Sequence, residues 1–330
     1  MCALFGWLDC GKKLPHRFLK KLTQALANAA EERGTDAAGI SYVKNGHITI
    51  YKRPKPAHKI CFNAPNGTTA IMGHTRLTTQ GNQQFNQNNH PFPGHADKEF
   101  AFAHNGVLYN DQEVRKSKNL PDTHIETDSY VAVQLIEQQG RLDFDSLKNM
   151  AEEVMGNFVF TILDENNTLY FLKGNNPLYL VYFERFGLYV YASTKSIMDN
   201  ALKAVGLQSE SHTIIQTCEG DIVSISSDGK IDSSRFNPDN YSFLSTGTKR
   251  TRYSFDWYDW EDDSDYCEYT DEEELLLDMC NCYGIDEDDV LLLLDYGYTA
   301  MEIEDMFMDT DLLRSAIQEV KHNSFYNDFV

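Results

Sequence analysis

GNFVFTILDENNTLYFLKGNNPLYLVYFERFGLYVYAS, residues 156–193, contains four apolar runs: FVFTIL (158–163), TLYFLK (168–173), LYLVYF (178–183) and LYVYAS (188–193). Asn166-Asn167, Asn175-Asn176-Pro177 and Gly187 separate them. Runs of this length, rich in β-branched and aromatic residues and closed by turn formers, predict a meander of antiparallel strands. Upstream, Asp128 to Gln139 reads as a helix with Val131, Leu135 and Ile136 on one face. Two strand-like runs, Gly39 to Val43 and His47 to Lys52, flank an Asn45-Gly46 hairpin turn. From Pro15 the apolar positions Phe18, Leu22, Leu26 and Ala29/Ala30 recur at helical spacing, with Gly34 as a stop. Downstream, a helix is expected from about Thr194 to Val205, then a strand pair around GDIVSIS (220–226) and Gly229. Antiparallel strands with helices between and outside them predict an α+β fold, sheets sandwiched by helices.

Charge divides the 330 residues sharply. The formal net charge is −21, yet residues 236–330 carry 25 of the 50 acids and 5 of the 29 bases, which leaves residues 1–235 at −1. A body of that size buries a large core as one domain. Residues 236–270 read as a flexible acidic linker, poor in periodicity. Residues 271–330 read as a small acidic helical bundle, with helical patterns at 271–283, 286–296, 299–308 and 311–321 and a capping box at Thr299 and Glu302. Acidity of this degree repels phosphate backbones and anionic lipid, so no nucleic-acid or membrane partner is expected. Seven irregularly spaced cysteines make no disulfide framework, and the first residues show no basic-then-apolar leader, so a reduced, cytoplasmic protein is expected. Cys267, Cys280 and Cys282 lack a fourth ligand at zinc-site spacing, and no phosphate-binding or dinucleotide loop is present, so neither metal nor cofactor is expected.

Four short stretches carry chemistry. Cys2 follows the initiator methionine. Removal of Met1 would give one residue both a thiol nucleophile and an α-amine with a pKa of roughly 7.7–8.0, a self-contained nucleophile and base. In Gly73-His74-Thr75-Arg76, an apolar run delivers an arginine to a loop rich in Thr, Gln, Asn and Gly, where its fork could clamp a carboxylate. In FAFAHNGV (100–107), the Asn105 side chain and the Gly106 backbone N–H could face one oxygen as an oxyanion hole. Asp128, at the start of the expected helix, could accept from an ammonium group. Each has an ordinary structural reading too: a small apolar residue, a surface arginine, an Asn-Gly hairpin turn and a helix cap.

In combination the stretches are specific. Cys2, Arg33-Gly34-Thr35-Asp36-Ala37-Ala38-Gly39, His74-Thr75-Arg76, His104-Asn105-Gly106 and Thr127-Asp128 occur in one order with domain-like spacing. Residues 2–235 thereby resemble the class II glutamine amidotransferase domain of the N-terminal nucleophile hydrolases. The likeness is greatest to the glutaminase halves of glucosamine-6-phosphate synthase and glutamine phosphoribosyl-pyrophosphate amidotransferase. It continues through 156–163, the ASTKS stretch (192–196) and Glu219-Gly220-Asp221. The resemblance implies a four-layer αββα sandwich and hydrolysis of the glutamine side-chain amide to glutamate and ammonia. It implies Cys2 as nucleophile, Asn105 and Gly106 as oxyanion hole, Arg76 and Asp128 on the α-carboxylate and α-ammonium, Thr79 lining the pocket, and Arg33 ordering the loops around Cys2. Glucosamine-6-phosphate synthases typically have tryptophan and histidine where this chain has Leu77 and Gln80. No acceptor signature follows in the sequence, so a separate ammonia-acceptor enzyme is the expected partner, with the acidic bundle as its docking element. An amide hydrolase of the same fold with another substrate, and a noncatalytic interaction protein acting through the acidic region, are the alternatives.

Overall fold

The computed structural model describes residues 2–238 and, beyond them, 276, 280, 285, 287–296, 298–307 and 310–327. The chain divides into two compact units, Met1–Tyr241 and Ser242–Val330. The proposed linker beyond residue 238 and most of the helical pattern at 271–283 lie outside the described residues.

Among the described residues the first unit contains thirteen strands in two antiparallel sheets. The first sheet contains β1 (Ala3–Asp9), β2 (Ala37–Lys44), β3 (His47–Arg53), β4 (Ala70–Arg76), β9 (Tyr179–Phe183), β10 (Leu188–Ala192) and β11 (Thr213–Ile214), in the order β11-β9-β10-β1-β4-β2-β3. The second contains β5 (Phe92–His95), β6 (Glu99–Leu108), β7 (Gly156–Asp164), β8 (Leu169–Lys173), β12 (Asp221–Ile225) and β13 (Ile231–Arg235), in the order β13-β12-β8-β7-β6-β5. The helices are α1 (His16–Ala29), α2 (Asp111–Ser117), α3 (Tyr130–Gln139), α4 (Phe144–Glu153) and α5 (Lys195–Val205).

Three buried clusters define four layers. Phe5 and Trp7 of β1 pack with Leu22 and Leu26 of α1 and Ile197 and Met198 of α5. Phe102 of β6 and Phe158 and Phe160 of β7 pack with Val131 and Ile136 of α3 and Leu147 and Met150 of α4. Between the sheets lie Leu4 and Leu8, Ala70 and Met72, Ala101 and Ala103, Val159 and Leu163. Alternate residues of one strand thus serve different layers, as the two-residue period of a strand requires. Because helices or the other sheet cover both faces, the strands read as continuous apolar runs rather than alternating ones. This is the αββα sandwich expected from the sequence.

The meander needs a correction. All four runs are strands, but β7 and β8 belong to one sheet and β9 and β10 to the other. The chain crosses at Gly174-Asn175-Asn176-Pro177, where side chains replace strand pairing. Phe158 N donates to Asn175 Oδ1 at 3.1 Å, and Asn176 Nδ2 donates to Asn105 O at 2.9 Å. The α3 helix starts at Tyr130 rather than Asp128, because the Asp128 carboxylate is engaged elsewhere. Sequence reading assigned neither β1 nor α4, although α4 carries a capping box between Asp143 and Ser146.

The second unit is described in part. It contains α6 (Glu287–Tyr296), α7 (Ala300–Phe307) and α8 (Thr310–Asn327), with Val290, Leu293, Ile303, Phe307, Leu313, Ile317 and Val320 buried. Thr299 Oγ1 accepts from Glu302 N at 3.3 Å, and Glu302 Oε2 accepts from Thr299 N at 2.9 Å, the reciprocal capping box expected there. Among the described residues no helix is long and apolar enough to cross a membrane.

Candidate active site

The site lies where β1 begins and β4 ends in one sheet, beside the middle of β6 in the other. In β4, apolar residues 70–73 give way to His74-Thr75-Arg76, and in β6 residues 100–103 give way to His104-Asn105-Gly106. All of these side chains except glycine's absence of one remain buried, so their polar atoms need partners. His74 Nε2 lies 3.0 Å from His104 O, and Thr75 Oγ1 donates to Ala30 O at 2.7 Å. His104 Nδ1 lies 2.7 Å from Ser129 Oγ and its Nε2 3.3 Å from Asn157 O.

Cys2, Arg76, Leu77, Thr79, Gln80, His90, His104, Gly106, Thr127, Asp128 and Ser129 line one cleft. Six of the seven residues singled out in the sequence meet here or at its base, four of them (Cys2, Arg76, Gly106 and Asp128) from four separate motifs. Cys2 is half-buried, with its thiol 3.4 Å from Leu77 O. Burial pushes the Cys2 thiol up; a backbone hydrogen bond from Leu77 and the Arg76 charge pull it down, and Asp128 opposes them. Arg33 is absent from the lining but donates from Nε to Cys2 O at 3.1 Å, which holds the main chain that presents the thiol. Gly34 follows because a Cβ there would lie 2.5 Å from the Arg76 carbonyl carbon.

Arg76 is buried and fastens the 77–81 loop. It donates from Nη1 to Asn89 Oδ1 at 2.6 Å, and from Nη2 to Gln80 O at 2.5 Å and Gly81 O at 3.2 Å. Burial lowers the Arg76 pKa, while Cys2, Asp36, Asp128 and Glu126 support its charge. The alternative reading of Arg76 as a surface arginine is therefore excluded. Asp128 is no helix cap either: its Oδ2 accepts from Leu108 N at 2.6 Å, so the carboxylate is tied to β6 at the cleft.

Asn105-Gly106 is not a hairpin turn. Both residues lie inside β6, paired with Val159 and Phe158 of β7. Gly106 has φ 142°, and a Cβ on it would come within 1.9 Å of Asn157 O, so only glycine fits. Gly106 lines the cleft, whereas Asn105 sits behind it, with Nδ2 3.4 Å from Ser193 Oγ. Ser193 Oγ also accepts from Leu4 N at 2.8 Å, and Ser193 N donates to Leu4 O at 2.9 Å. The ASTKS stretch thus joins the Asn105 side chain to the strand that carries Cys2.

Sequence reading assigned no role to three buried histidines. The His74 and His90 rings lie 4.3 Å apart between centroids, and His90 and His104 6.5 Å. Burial depresses all three, with the neighbouring cations adding to the effect on His74 and His90; His74 falls to about 3. The cleft therefore presents neutral imidazoles beside one cation, Arg76, and one anion, Asp128. A wide polar fastening also went unnoticed: Asn88 Nδ2 donates to Glu126 Oε2 at 2.8 Å, and Glu126 N donates to Asn88 Oδ1 at 2.9 Å. The asparagine-rich run 82–89 was its visible signal. Among the described residues no group of three His, Cys, Asp or Glu side chains is arranged to hold a metal ion.

Residues 74–200, which include the β4 and β6 motifs and Asp128, match the family model of the glutamine amidotransferase domain. This stretch is similar to a glutamine amidotransferase domain. It is 29% identical over 247 residues to a glutamine--fructose-6-phosphate aminotransferase (isomerizing) of Staphylococcus aureus, covering 68% of this chain and 38% of that one. It is 25% identical over 209 residues to 7-cyano-7-deazaguanine synthase 2 of Sulfurisphaera tokodaii, covering 60% of this chain and 44% of that one. The chain thus spans less than half the length of these relatives. The fold is also similar to that of solved structures, two of which follow. One is an allosteric regulatory enzyme of purine biosynthesis (TM-score 0.57, 22% identity, covering 72% of this chain and 49% of that chain). The other is glutamine phosphoribosylpyrophosphate amidotransferase from B. subtilis (TM-score 0.54, 21% identity, with the same coverage of 72% and 49%).

Proposed function

We propose that this chain hydrolyses the side-chain amide of glutamine, with Cys2 as nucleophile after removal of Met1, and that the ammonia passes to a separate acceptor enzyme. The observation that carries the reading is the convergence of Cys2, Arg76, Gly106 and Asp128 on one cleft. A cation and an anion on that cleft suit the carboxylate and ammonium of a free amino acid, and orient its side chain toward the thiol.

The Cys2 thiol gives its proton to the Cys2 α-amine, and the sulfur attacks the carboxamide carbon. The carbonyl oxygen becomes an oxyanion that accepts from Gly106 N–H and from Asn105 Nδ2, which turns from Ser193 when substrate binds. Such donors are worth about a hundred- to thousandfold each in rate. The α-ammonium returns the proton to the nitrogen, the C–N bond breaks, and ammonia leaves a γ-glutamyl thioester. Water, deprotonated by the α-amine, attacks the thioester; glutamate leaves and the thiol is restored. Thr79 lines the amide pocket, and Arg33 holds the Cys2 carbonyl so that sulfur and amine keep their placement. Residues 1–235 would carry this reaction, in the cytoplasm, and the acidic residues 271–330 would dock the acceptor through a basic surface on it.

The test combines N-terminal mass spectrometry with glutamate release from purified full-length chain. Cys2 as the first residue, with release lost in Cys2→Ala, is the expected result. Retained Met1, or unchanged release in Cys2→Ala, overturns the reading in favour of a noncatalytic role.

A further inference from the structure

Lys52, on β3, takes no part in the reaction above, yet its amine is directed at the site's supports. Nζ donates to Pro91 O at 2.9 Å and, in a very short contact, to Asn89 O. It also lies 5.1 Å from the Phe92 ring centroid, over its face. Asn86 Nδ2 donates back to Lys52 O at 3.0 Å. These bonds lash residues 86–92 to β3. Asn89 is the shared member: its main-chain oxygen meets Lys52, and its side-chain oxygen meets Arg76 Nη1 at 2.6 Å. Asn89 Nδ2 is occupied by Gln83 O at 2.8 Å, which fixes the orientation of the carboxamide.

The placement is not a comfortable one for a lysine. Burial and the Arg76 charge bring Lys52 down to about 7. A lysine serving only solubility would extend into water, as these side chains usually do.

We propose that Lys52 is a positioning residue for amino-acid recognition: by anchoring the Asn89 and Pro91 carbonyls it holds the Asn89 carboxamide against Arg76, and so sets the guanidinium for a ligand α-carboxylate. The assignment rests on the reading that the cleft takes a free amino acid. It predicts a selective defect. When the lash is cut, Arg76 loses its fixed fork geometry, and the chain loses preference for a free α-carboxylate. The thiol and the Gly106 donor stay in place.

The experiment uses the full chain as wild type, Lys52→Met, Lys52→Arg and Asn89→Ala. It measures calorimetric binding of L-glutamate and of its α-amide, together with glutamine turnover. Wild type is expected to prefer L-glutamate. Lys52→Met and Asn89→Ala are expected to weaken L-glutamate about tenfold and the α-amide little, and to raise KM for glutamine about tenfold while kcat changes less than about threefold. Lys52→Arg, which keeps a cationic donor, is expected to recover most of the preference. Equal weakening of both ligands, or an unchanged preference in the two cut variants, overturns the role of Lys52 while leaving glutamine hydrolysis intact. No preference in wild type removes the amino-acid reading and this assignment together. If Lys52→Met does not fold, Lys52→Gln is measured in its place with the same expected and overturning outcomes, because its shorter side chain also withdraws the amine from the Asn89 and Pro91 carbonyls.

Discussion

Two halves of the same strands behave differently. Residues 70–73 of β4 and 100–103 of β6 are apolar and fill the layers, while His74–Arg76 and His104-Asn105, on the continuation of each strand, are equally buried but polar. The apolar halves are held by area and packing, which tolerate some exchange of shape. The polar halves are held by directed bonds, with Asn105 Oδ1 left as a buried acceptor that has no partner. Sheet rigidity is thus carried without interruption from the core into the cleft, and the groups that would meet substrate stand on strands rather than on free loops. The contrast predicts that damage on the polar side removes activity first, and damage on the apolar side removes stability first.

Gly106→Ala should give the largest effect. A Cβ at φ 142° meets Asn157 O at 1.9 Å, so β6 must shift where it faces the thiol. Glutamate release is expected to fall at least about a hundredfold, the scale of one lost oxyanion donor. Near wild-type release would break the contrast, since the polar half would then tolerate displacement.

Phe102→Ala probes the other half. Phe102 is fully buried, with its ring 5.0 Å from that of Phe160. Its truncation is expected to cost about 3–5 kcal/mol in chemical denaturation. KM for glutamine at a temperature where the variant is folded should stay near the wild-type value. A raised KM would show that packing on this face and the site are coupled.

The sequence disclosed the apolar halves more fully than the polar ones, for physical reasons. Burial on both faces leaves continuous apolar runs, so β7 to β10 were legible, but run composition does not say which sheet a strand joins; that was decided by Asn175 and Asn176. Asn-Gly had opposite meanings at two of its three occurrences. Asn45-Gly46 makes a hairpin with φ 53° and 80°, whereas Asn105-Gly106 runs straight through a strand because Asn157 O approaches Gly106. The cleft residues were legible as separate motifs whose order carried the family likeness. Their supports were not: Lys52 to Pro91, Asn105 to Ser193 and Glu126 to Asn88 join residues 39, 88 and 38 positions apart, and contacts of that range leave no local spacing to read.

The smallest effect concerns protons. His74, His90 and His104 are buried as neutral rings, with His74 brought down to about 3 and the other two also below their ordinary value. In the unfolded chain each would titrate near 6.5. Between those values the unfolded chain binds protons that the folded chain does not, so stability rises with pH across this window. It is complete above about 6.5 and is lost progressively as pH falls toward 3. Each such proton contributes a slope of at most about 1.4 kcal/mol per pH unit. His90→Phe removes one of them and places a ring of similar shape beside those of His74 and Phe92, each 4.3 Å from His90 between centroids. Urea denaturation from pH 4 to 7 is expected to show a shallower loss of stability in acid for this variant, by up to one proton, with little change at pH 7. An unchanged slope would mean that His90 binds its proton in the folded state, and that the polar half of the strands holds charge where the structure places neutral rings.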